Sequence, residues 1–338
     1  MTKSIIKTLL KFLFAGAIIA YMLHKGTLDF SIIATSFQYK TEWIVCLSII
    51  IINVLLTTYR WKLLLEIKSS CKLPFSSMAR LTWIGLFFSS ILPGAVTGDL
   101  VKLLYARDLD KNLTNTFLLT SALLDRIIGL LGLLFLLGIF SIIYYSSLTS
   151  RSLQLTNLIH FNFLVFLGVI VFLSSMFLPK KIQNFILNIT NKIPAIGNKI
   201  GNIFSQVWLI GENQRIVLIT LALSLCIQIL NVFAFWFISR PFIVGAELSL
   251  QHAFTFIPLG FVTMAIPISP GGIGVGHAAF DQLFSFFGVK NGASLFNLYF
   301  ICWISVNLLG IFAYIASGKR YSLKDTKTID TDNKTNIS

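Results

Sequence analysis

Charged side chains are rare in the apolar segments of this chain, and four of them come as two close pairs. Asp125 and Arg126 are adjacent in "TSALLDRIIGLLGLL", while Asp99 and Lys102 stand three residues apart in "PGAVTGDLVK" and so share one helix face. Arginine can grip phosphate oxygens with two hydrogen bonds and stays charged when buried. Charges in apolar surroundings pair with each other or with a ligand. Together with Asp281, these residues are therefore candidates for ion pairing or for binding an anionic group.

Proline and glycine interrupt the two apolar segments that contain Asp99 and Asp281. The interruptions fall within residues 77–105 and 250–287, and the residues expected at the two breaks are Pro93, Gly94, Gly98, Pro270, Gly271, Gly272 and Gly274. Proline removes an amide donor, and glycine permits backbone angles that other residues avoid. Each break should thus form a hairpin tip whose helix N-termini expose free amides, which attract phosphate and other anions. The alternative is a glycine-rich turn that only lets two helices pack closely.

The composition is that of an integral membrane protein. Of the 338 residues, 56% are hydrophobic and only 12% are charged, whereas soluble domains average about a quarter charged. The formal charge of +14 (27 basic minus 13 acidic) is expected to reflect cationic cytoplasmic loops and not a nucleic-acid partner. The four cysteines and four histidines show neither a disulfide framework nor metal-ligand spacing, so neither metal nor cofactor is expected.

Six apolar runs are long enough to cross a bilayer, which takes about 20 helical residues. They cover residues 5–23, 43–59, 116–145, 159–178, 216–238 and 293–317. The first run follows basic residues and also fits a signal peptide, but the repeat described next favours a retained helix. Residues 179–214 show amphipathic helical spacing, which is typical of helices on the inner membrane surface or packed against the ends of the spans.

Lysine and arginine in the short loops predict the orientation. Basic residues flank the first broken segment on both sides, which places both flanks and both termini in the cytoplasm; the second broken segment has flanks poor in charge, as expected outside. The fold class predicted is an all-α polytopic membrane protein with about six transmembrane helices and two re-entrant helical hairpins that dip from opposite faces.

The order of elements repeats in the two halves as span, span, hairpin, span. Pro93 falls on Pro270 at an offset of 177 residues, and Thr116 falls on Ala293 at the same offset. Because three crossings per half is an odd number, the second half must be inverted. We expect a first repeat over residues 1–148, a second over 149–318 with its amphipathic linker at 179–214, and a disordered cytoplasmic tail at 319–338.

Four stretches together resemble the lysylphosphatidylglycerol synthase transmembrane-region family, also described as flippase-like membrane proteins. They are "YRWKLLL" (59–65), "LPGAVTGDLVKLLYARD" (92–108), "LLDRIIGLL" (123–131) and "PISPGGIGVGHAAF" (267–280). The family often has Glu where this chain has Asp125, and an acidic residue near His277. The resemblance implies two re-entrant elements and a role in moving lipids between leaflets of the bacterial cytoplasmic membrane. The candidate substrate-binding residues are then Arg60, Asp99, Lys102, Asp125, Arg126, His277 and Asp281.

Translocation of a phospholipid or a polyprenyl-linked lipid is the expected function, and the chain is not expected to be an enzyme. The soluble aminoacyltransferase domain of the bifunctional synthases has no counterpart after the last span, so aminoacyl transfer should be absent. An accessory subunit that binds a lipid-synthesising enzyme stays open, as does a homodimer. An intramembrane protease is disfavoured, because Val96 replaces the first glycine of a GxGD motif and no GxSG occurs.

Overall fold

The computed structural model describes residues 16–17, 19–22, 24, 29–91, 97–150, 153–190, 197–243, 248–265 and 272–317. All regular secondary structure within these ranges is helical. The helices are α1 (Ser31–Ser36), α2 (Lys40–Leu65), α3 (Phe75–Ile91), α4 (Thr97–Ala106), α5 (Asn115–Ile143), α6 (Tyr145–Thr149), α7 (Leu153–Ser175), α8 (Lys180–Thr190), α9 (Gly197–Glu212), α10 (Gln214–Ser239), α11 (Leu250–Ala265), α12 (Val275–Ser285), α13 (Gly292–Leu308) and α14 (Gly310–Ala316).

Five of the described helical stretches are long and apolar enough to cross a membrane: α2, α5, α7, α10 with the turn that follows it, and α13 with α14. The chain is therefore an integral membrane protein, because a helix satisfies its own backbone groups where water is absent. The first expected span, 5–23, lies largely outside the described residues. Pro93, Gly94, Pro270 and Gly271 lie outside them too.

The longest helices, α2, α5 and α10, form the centre of the bundle. Helix α10 packs along α2 and α5, and α13 packs against both α2 and α10. Asn53 Nδ2 on α2 donates to Asn231 Oδ1 on α10 over 2.7 Å, and this oxygen also accepts from the Tyr299 hydroxyl on α13 at 3.2 Å. Hydrogen bonds between polar side chains join neighbouring spans in this way. The capping bond from Phe117 N–H to the Thr114 side chain starts α5.

The shorter helices form two antiparallel pairs. Helix α4 packs along α3, and α3 also packs on α14; helix α12 packs along α11, and α11 also packs on α5. The loops before α3 and after α4 are tied together, since the hydroxyls of Ser69 and Ser70 donate to Asp110 Oδ2 at 2.8 and 2.6 Å. At the second pair, His252 near the start of α11 contacts the Phe287 ring just after α12, with centroids 5.6 Å apart.

Helices α8 and α9 occupy the amphipathic linker. Helix α9 packs against α5 and α10, and its Trp208 indole donates to the Ser175 carbonyl oxygen of α7 at 3.2 Å. Helix α8 exposes Ile182, Phe185 and Ile189. Helix α9 thus packs against the spans, while α8 presents an apolar face of the kind that lies on a membrane.

Candidate functional site

A buried ion pair joins two spans at the centre of the site. Arg60 Nε on α2 donates to Asp125 Oδ1 on α5 over 2.8 Å, and the two side chains are 6% and 8% exposed. Arg60 also donates from its guanidinium to Ser224 Oγ on α10 at 3.1 Å, and that hydroxyl donates to the Ile128 carbonyl oxygen at 2.7 Å. A Cβ at Gly129 would lie 3.4 Å from the guanidinium nitrogens, so glycine leaves room for the arginine. Charge and hydrogen bonds are both satisfied here, as burial of an ion pair requires.

A second ion pair joins α4 to α5. Arg126 Nε donates to Asp99 Oδ2, and Lys102 Nζ lies 3.9 Å from Asp99 Oδ1. Lys102 is buried, with its ammonium 3.9 Å from the ring centroid of the fully buried Trp61, a cation–π distance. The Arg126 side chain, in contrast, is 46% exposed. Arg126 is therefore the most accessible of these charges.

Arg126 lies near the middle of its span. Helix α5 has 29 residues from Asn115 to Ile143, so its midpoint is residue 129. Three residues of helix rise about 4.5 Å. In a helix centred on the bilayer, Arg126 would stand well inside the hydrocarbon layer, whose thickness is about 30 Å. A half-exposed arginine at that depth faces a cavity, a ligand or lipid. Exposing its charge to hydrocarbon is energetically costly, which favours a polar partner.

The five side chains form a charged cluster, which comprises Arg60, Asp99, Lys102, Asp125 and Arg126. In their ordinary ionisation states, three cations and two carboxylates leave one net positive charge. Asp99 lies in the first turn of α4, where the helix dipole favours a negative group. The cluster can thus receive one phosphate charge without leaving an uncompensated anion inside the membrane.

The second helix pair positions its polar residues differently. Gly272 and Gly274 have φ of +76° and +83°, angles that favour glycine, and Gly274 precedes α12. The Gly274 N–H donates to His277 Nδ1 at 3.2 Å, so Nε2 carries the ring proton and faces Asn297 Oδ1 at 2.7 Å. Asp281 accepts from the Ala293 N–H at 3.4 Å. His277 and Asp281 thus hold the α12–α13 region and are not part of the charged cluster.

Gly98 has a role that differs from the expected one. It lies inside α4 with helical backbone, and a Cβ there would overlap the Gly85 carbonyl oxygen and Ser89 Oγ of α3. Glycine at this position allows close approach of two helices and supplies no unusual angle. For Gly98, this agrees with the alternative given above, in which glycine only lets two helices pack closely.

Sequence reasoning missed a polar stripe on α10. Ser224, Gln228 and Asn231 stand at i, i+4 and i+7 on one helix face, and they continue the hydrogen bonding from Arg60 toward Asn53. Gln228 Nε2 donates to the Gly129 carbonyl oxygen at 3.2 Å, and Asn231 Nδ2 donates to Gln228 Oε1 at 3.3 Å. The spacing of uncharged polar residues within an apolar run was the signal that could have found it.

Comparison with known proteins places the chain in a family. A search of curated proteins found no match. The family model of the lysylphosphatidylglycerol synthase TM region matches residues 8–310, which contain both helix pairs and the whole charged cluster. Proteins of this family have a lipid-related role in the membrane. The match covers most of the 338 residues of this chain. The chain belongs to the family of the lysylphosphatidylglycerol synthase transmembrane region.

Proposed function

We propose that the protein translocates a phospholipid, or a polyprenyl-linked precursor, between membrane leaflets and catalyses no covalent step. The observation that carries this proposal is the half-exposed Arg126 near the middle of α5, paired with Asp99 in a cluster with one net positive charge. An anionic headgroup crossing the hydrocarbon layer needs fixed positive charge to replace its lost hydration. The acyl chains stay in the bilayer, so only the headgroup requires the protein.

In this mechanism the headgroup phosphate takes the place of Asp99 on Arg126. Asp99 keeps a cationic neighbour when this happens, because the Lys102 ammonium lies 3.9 Å away. Arg60 and Asp125 neutralise each other beneath the site and fix α2 against α5. Asp99 is also placed to receive a cationic group if the headgroup carries one. The free amides expected at the two hairpin tips would add hydrogen bonds to the phosphate.

We further propose six spans and two re-entrant hairpins. The hydrogen bonds from Ser69 and Ser70 to Asp110 support this, since they hold both flanks of the α3–α4 pair at one end of the bundle. The contact between His252 and Phe287 does the same for the α11–α12 pair. His252 also contacts Tyr144 at the end of α5, with centroids 6.2 Å apart, whereas Asp110 precedes the start of α5. The two pairs therefore have their flanks at opposite ends of that span.

The packing of the helices supports the inverted repeat. Exchanging α2 with α10, α3 with α11, α4 with α12 and α5 with α13–α14 maps every contact among these helices onto a contact that is also present. Asn53 and Asn231 are hydrogen-bonded to each other and are separated by 178 residues, against the offset of 177 between the two Pro-Gly motifs. Residues at nearly equivalent positions of the two repeats can meet beside a two-fold axis, which would run between α2 and α10.

The transport proposal is tested by reconstituting the purified protein in vesicles that carry fluorescent phospholipids and measuring their exchange between leaflets. Arg126→Ala should abolish most of the exchange, and Arg126→Lys should retain part of it, because lysine keeps the charge but loses the two-pronged grip. Ile142→Trp, an exposed position at the far end of the same helix, serves as the control. Wild-type exchange by Arg126→Ala would mean that the arginine only snorkels to the interface. No exchange by the folded wild-type protein alone would favour an accessory subunit.

The topology proposal places both termini in the cytoplasm of a bacterial cell. In a background with the exposed Cys71 and Cys226 replaced by serine, Ser150→Cys and Lys111→Cys place single thiols at exposed positions beyond opposite ends of α5. A membrane-impermeant maleimide added to intact cells should label position 150 and not position 111. Labelling of position 111 from outside would overturn the re-entrant arrangement of α3 and α4.

A further inference from the structure

A cavity of about 260 Å³ lies between the spans and the amphipathic linker, outside the charged cluster. Helices α5, α7, α8 and α9 surround it, and its lining includes Leu123, Ile127, Phe172, Ile186, Phe204 and Trp208. An apolar cavity of about 150 Å³ is enough to hold benzene. The larger cavity here can accommodate a longer apolar group, and we name it the α5–α9 groove.

Two of the three polar residues in the lining direct their hydrogen bonds into the protein. The Trp208 indole N–H donates to the Ser175 carbonyl oxygen at 3.2 Å, and the Ser175 hydroxyl donates to the Phe172 carbonyl oxygen at 2.6 Å. A water molecule needs two to four polar partners to be held in a cavity. The groove offers its occupant mainly hydrocarbon contacts, which fits an alkyl chain.

The groove begins beside the most accessible charge of the cluster. Leu123 and Arg126 are three residues apart on α5, so their side chains are neighbours on the helix surface. Leu123 is 50% exposed, which leaves this side of the groove open to the bilayer. An anionic group on Arg126 would therefore lie within a few ångströms of the apolar opening, with opposite charge and apolar surface side by side as in a phospholipid.

The two helices of the linker form one wall of the groove. Lys180 at the start of α8 is exposed and lies 3.6 Å from Glu212 at the end of α9. The exposed Phe185 and Ile189 belong to the same helix as the lining residue Ile186. A helix of this composition is held at the interface, with its apolar face toward the acyl chains.

We propose that the α5–α9 groove binds one acyl chain of a membrane phospholipid whose phosphate is held at Arg126. This deepens the proposed function and rests on it for the position of the headgroup. The groove would keep one chain against the protein while the headgroup moves. It would thus select lipids by the presence of a long, flexible chain next to an anionic group.

The test uses photoreactive lipids. The full-length protein is placed in nanodiscs that contain phosphatidylglycerol with a diazirine in one acyl chain, and, in parallel, phosphatidylcholine with the same chain. After illumination, mass spectrometry compares adducts on α9 with adducts on the lipid-exposed Phe161 and Leu164 of α7. We expect several-fold enrichment on α9, a several-fold loss of it in Leu123→Trp, which fills the groove, and no loss in Ile142→Trp, which alters an exposed position at the far end of α5.

The outcomes separate the groove from the headgroup site. Labelling of α9 that is no higher than that of Phe161 and Leu164, or that is unchanged by Leu123→Trp, overturns the groove. If phosphatidylglycerol labels α9 more than phosphatidylcholine and Arg126→Ala removes the difference, both the groove and the headgroup position are supported. Equal labelling by the two lipids upholds the groove as a chain site and contradicts the anionic site at Arg126.

Discussion

The two helix pairs have the same packing geometry but opposite chemistry. In the first pair, a Cβ at Gly85 of α3 would lie 3.2 Å from Lys102 Cβ of α4; in the second, a Cβ at Gly260 of α11 would overlap the ring of Phe280 on α12. Glycine on the longer helix thus receives a large side chain from the shorter one in both cases. Lys102 continues into a cluster of charges, whereas Phe280 stacks between Phe235 and Phe296 with centroid distances of 4.7 and 5.1 Å.

This difference distinguishes a structural role from a ligand-binding role. Stacked aromatic rings gain stability from contact area and fixed geometry, and they offer a ligand nothing that it could not find in lipid. A charged cluster in the same position is costly unless each member is paired, so its presence requires a different physical role. We infer that the second pair is chiefly scaffold and the first pair contains the working groups.

The largest expected effect comes from breaking the buried pair. Asp125→Ala leaves the buried Arg60 guanidinium with the neutral Ser224 hydroxyl at 3.1 Å and without its carboxylate. An uncompensated buried charge costs about 3–5 kcal/mol. The free energy of unfolding, measured by chemical denaturation in mixed micelles, should fall by that amount. The exposed Asp108 provides the control, since Asp108→Ala removes a carboxylate from a loop. An Asp125→Ala protein as stable as the control would show that the pair contributes no net stability.

Replacing the buried Arg60–Asp125 pair by apolar residues should restore stability and still reduce transport strongly. The double variant Arg60→Met, Asp125→Leu removes both charges, and such exchanges are often neutral or stabilising. Ser224 keeps a partner, because its hydroxyl donates to the Ile128 carbonyl oxygen. We expect unfolding near that of wild type with much reduced leaflet exchange in vesicles. Full exchange by this variant would contradict a working role for the buried charges.

A cavity in the aromatic core should have a comparable effect on stability by a different route. Phe280 is fully buried, so Phe280→Ala leaves a void among Phe235, Phe261 and Phe296 and should cost about 3–5 kcal/mol. Phe280→Leu should lose less, because it fills more of the space. Exchange activity measured per folded protein should be retained. A folded Phe280→Leu protein without exchange would contradict the scaffold role of the second pair.

The spans and the charges could be predicted from the sequence, but their pairing could not. Long apolar runs predict α2, α5, α7, α10 and α13–α14 because a bilayer sets the length of a helix. Asp125 and Arg126 were found as charges in such a run, yet adjacent residues point about 100° apart around a helix. They therefore meet different partners, Arg60 on α2 and Asp99 on α4.

The stripe of Ser224, Gln228 and Asn231 was missed for a different reason. These uncharged residues hardly lower the hydropathy of α10, and their function depends on which face meets α2 and α5. Gly98 was assigned to the wrong cause, because composition cannot separate a glycine needed for its backbone angle from one needed for close approach. The hydrophobic pattern fixes which segments enter the membrane, whereas helix rotation decides which side chains meet.

An added methyl group should be tolerated less at Gly98, where α4 meets α3, than at Gly276, where α12 meets α13. Gly98→Ala would place a methyl group onto the Gly85 carbonyl oxygen, which is backbone, and should cost about 1–3 kcal/mol through forced separation of α3 and α4. Gly276→Ala would place its Cβ 2.9 Å from the edge of the Phe296 ring, which can shift. The free energy of unfolding, measured in micelles, should therefore be lower for Gly98→Ala than for Gly276→Ala. The reverse order would mean that the aromatic core is the less tolerant of the two.

The smallest expected effect concerns the loops that flank the two pairs, which also differ in chemistry. The second pair is joined at its flanks by the rings of His252 and Phe287, whereas the first is joined by the carboxylate of Asp110. Hydrogen bonds from the Ser70 hydroxyl, the Asn112 N–H and the Ser69 hydroxyl hold the pKa of Asp110 below its ordinary value. The ionised form is thus favoured in the folded state.

Asp110→Asn should therefore lower the thermal unfolding midpoint slightly at neutral pH, and the difference from wild type should shrink as the pH falls. A carboxyl whose folded pKa is depressed contributes stability above its unfolded pKa of about 3.9, and this contribution is lost as the pH falls through the folded value. Unfolding midpoints of wild type, Asp110→Asn and the exposed control Asp108→Asn would be measured from pH 7 to pH 3 in the same detergent. We expect the gap between Asp110→Asn and wild type to be constant down to about pH 4 and to narrow below it. A gap that persists unchanged to the lowest pH would show that the two loops are joined by shape and neutral hydrogen bonds, as at the second pair, and that the charge of Asp110 does not contribute.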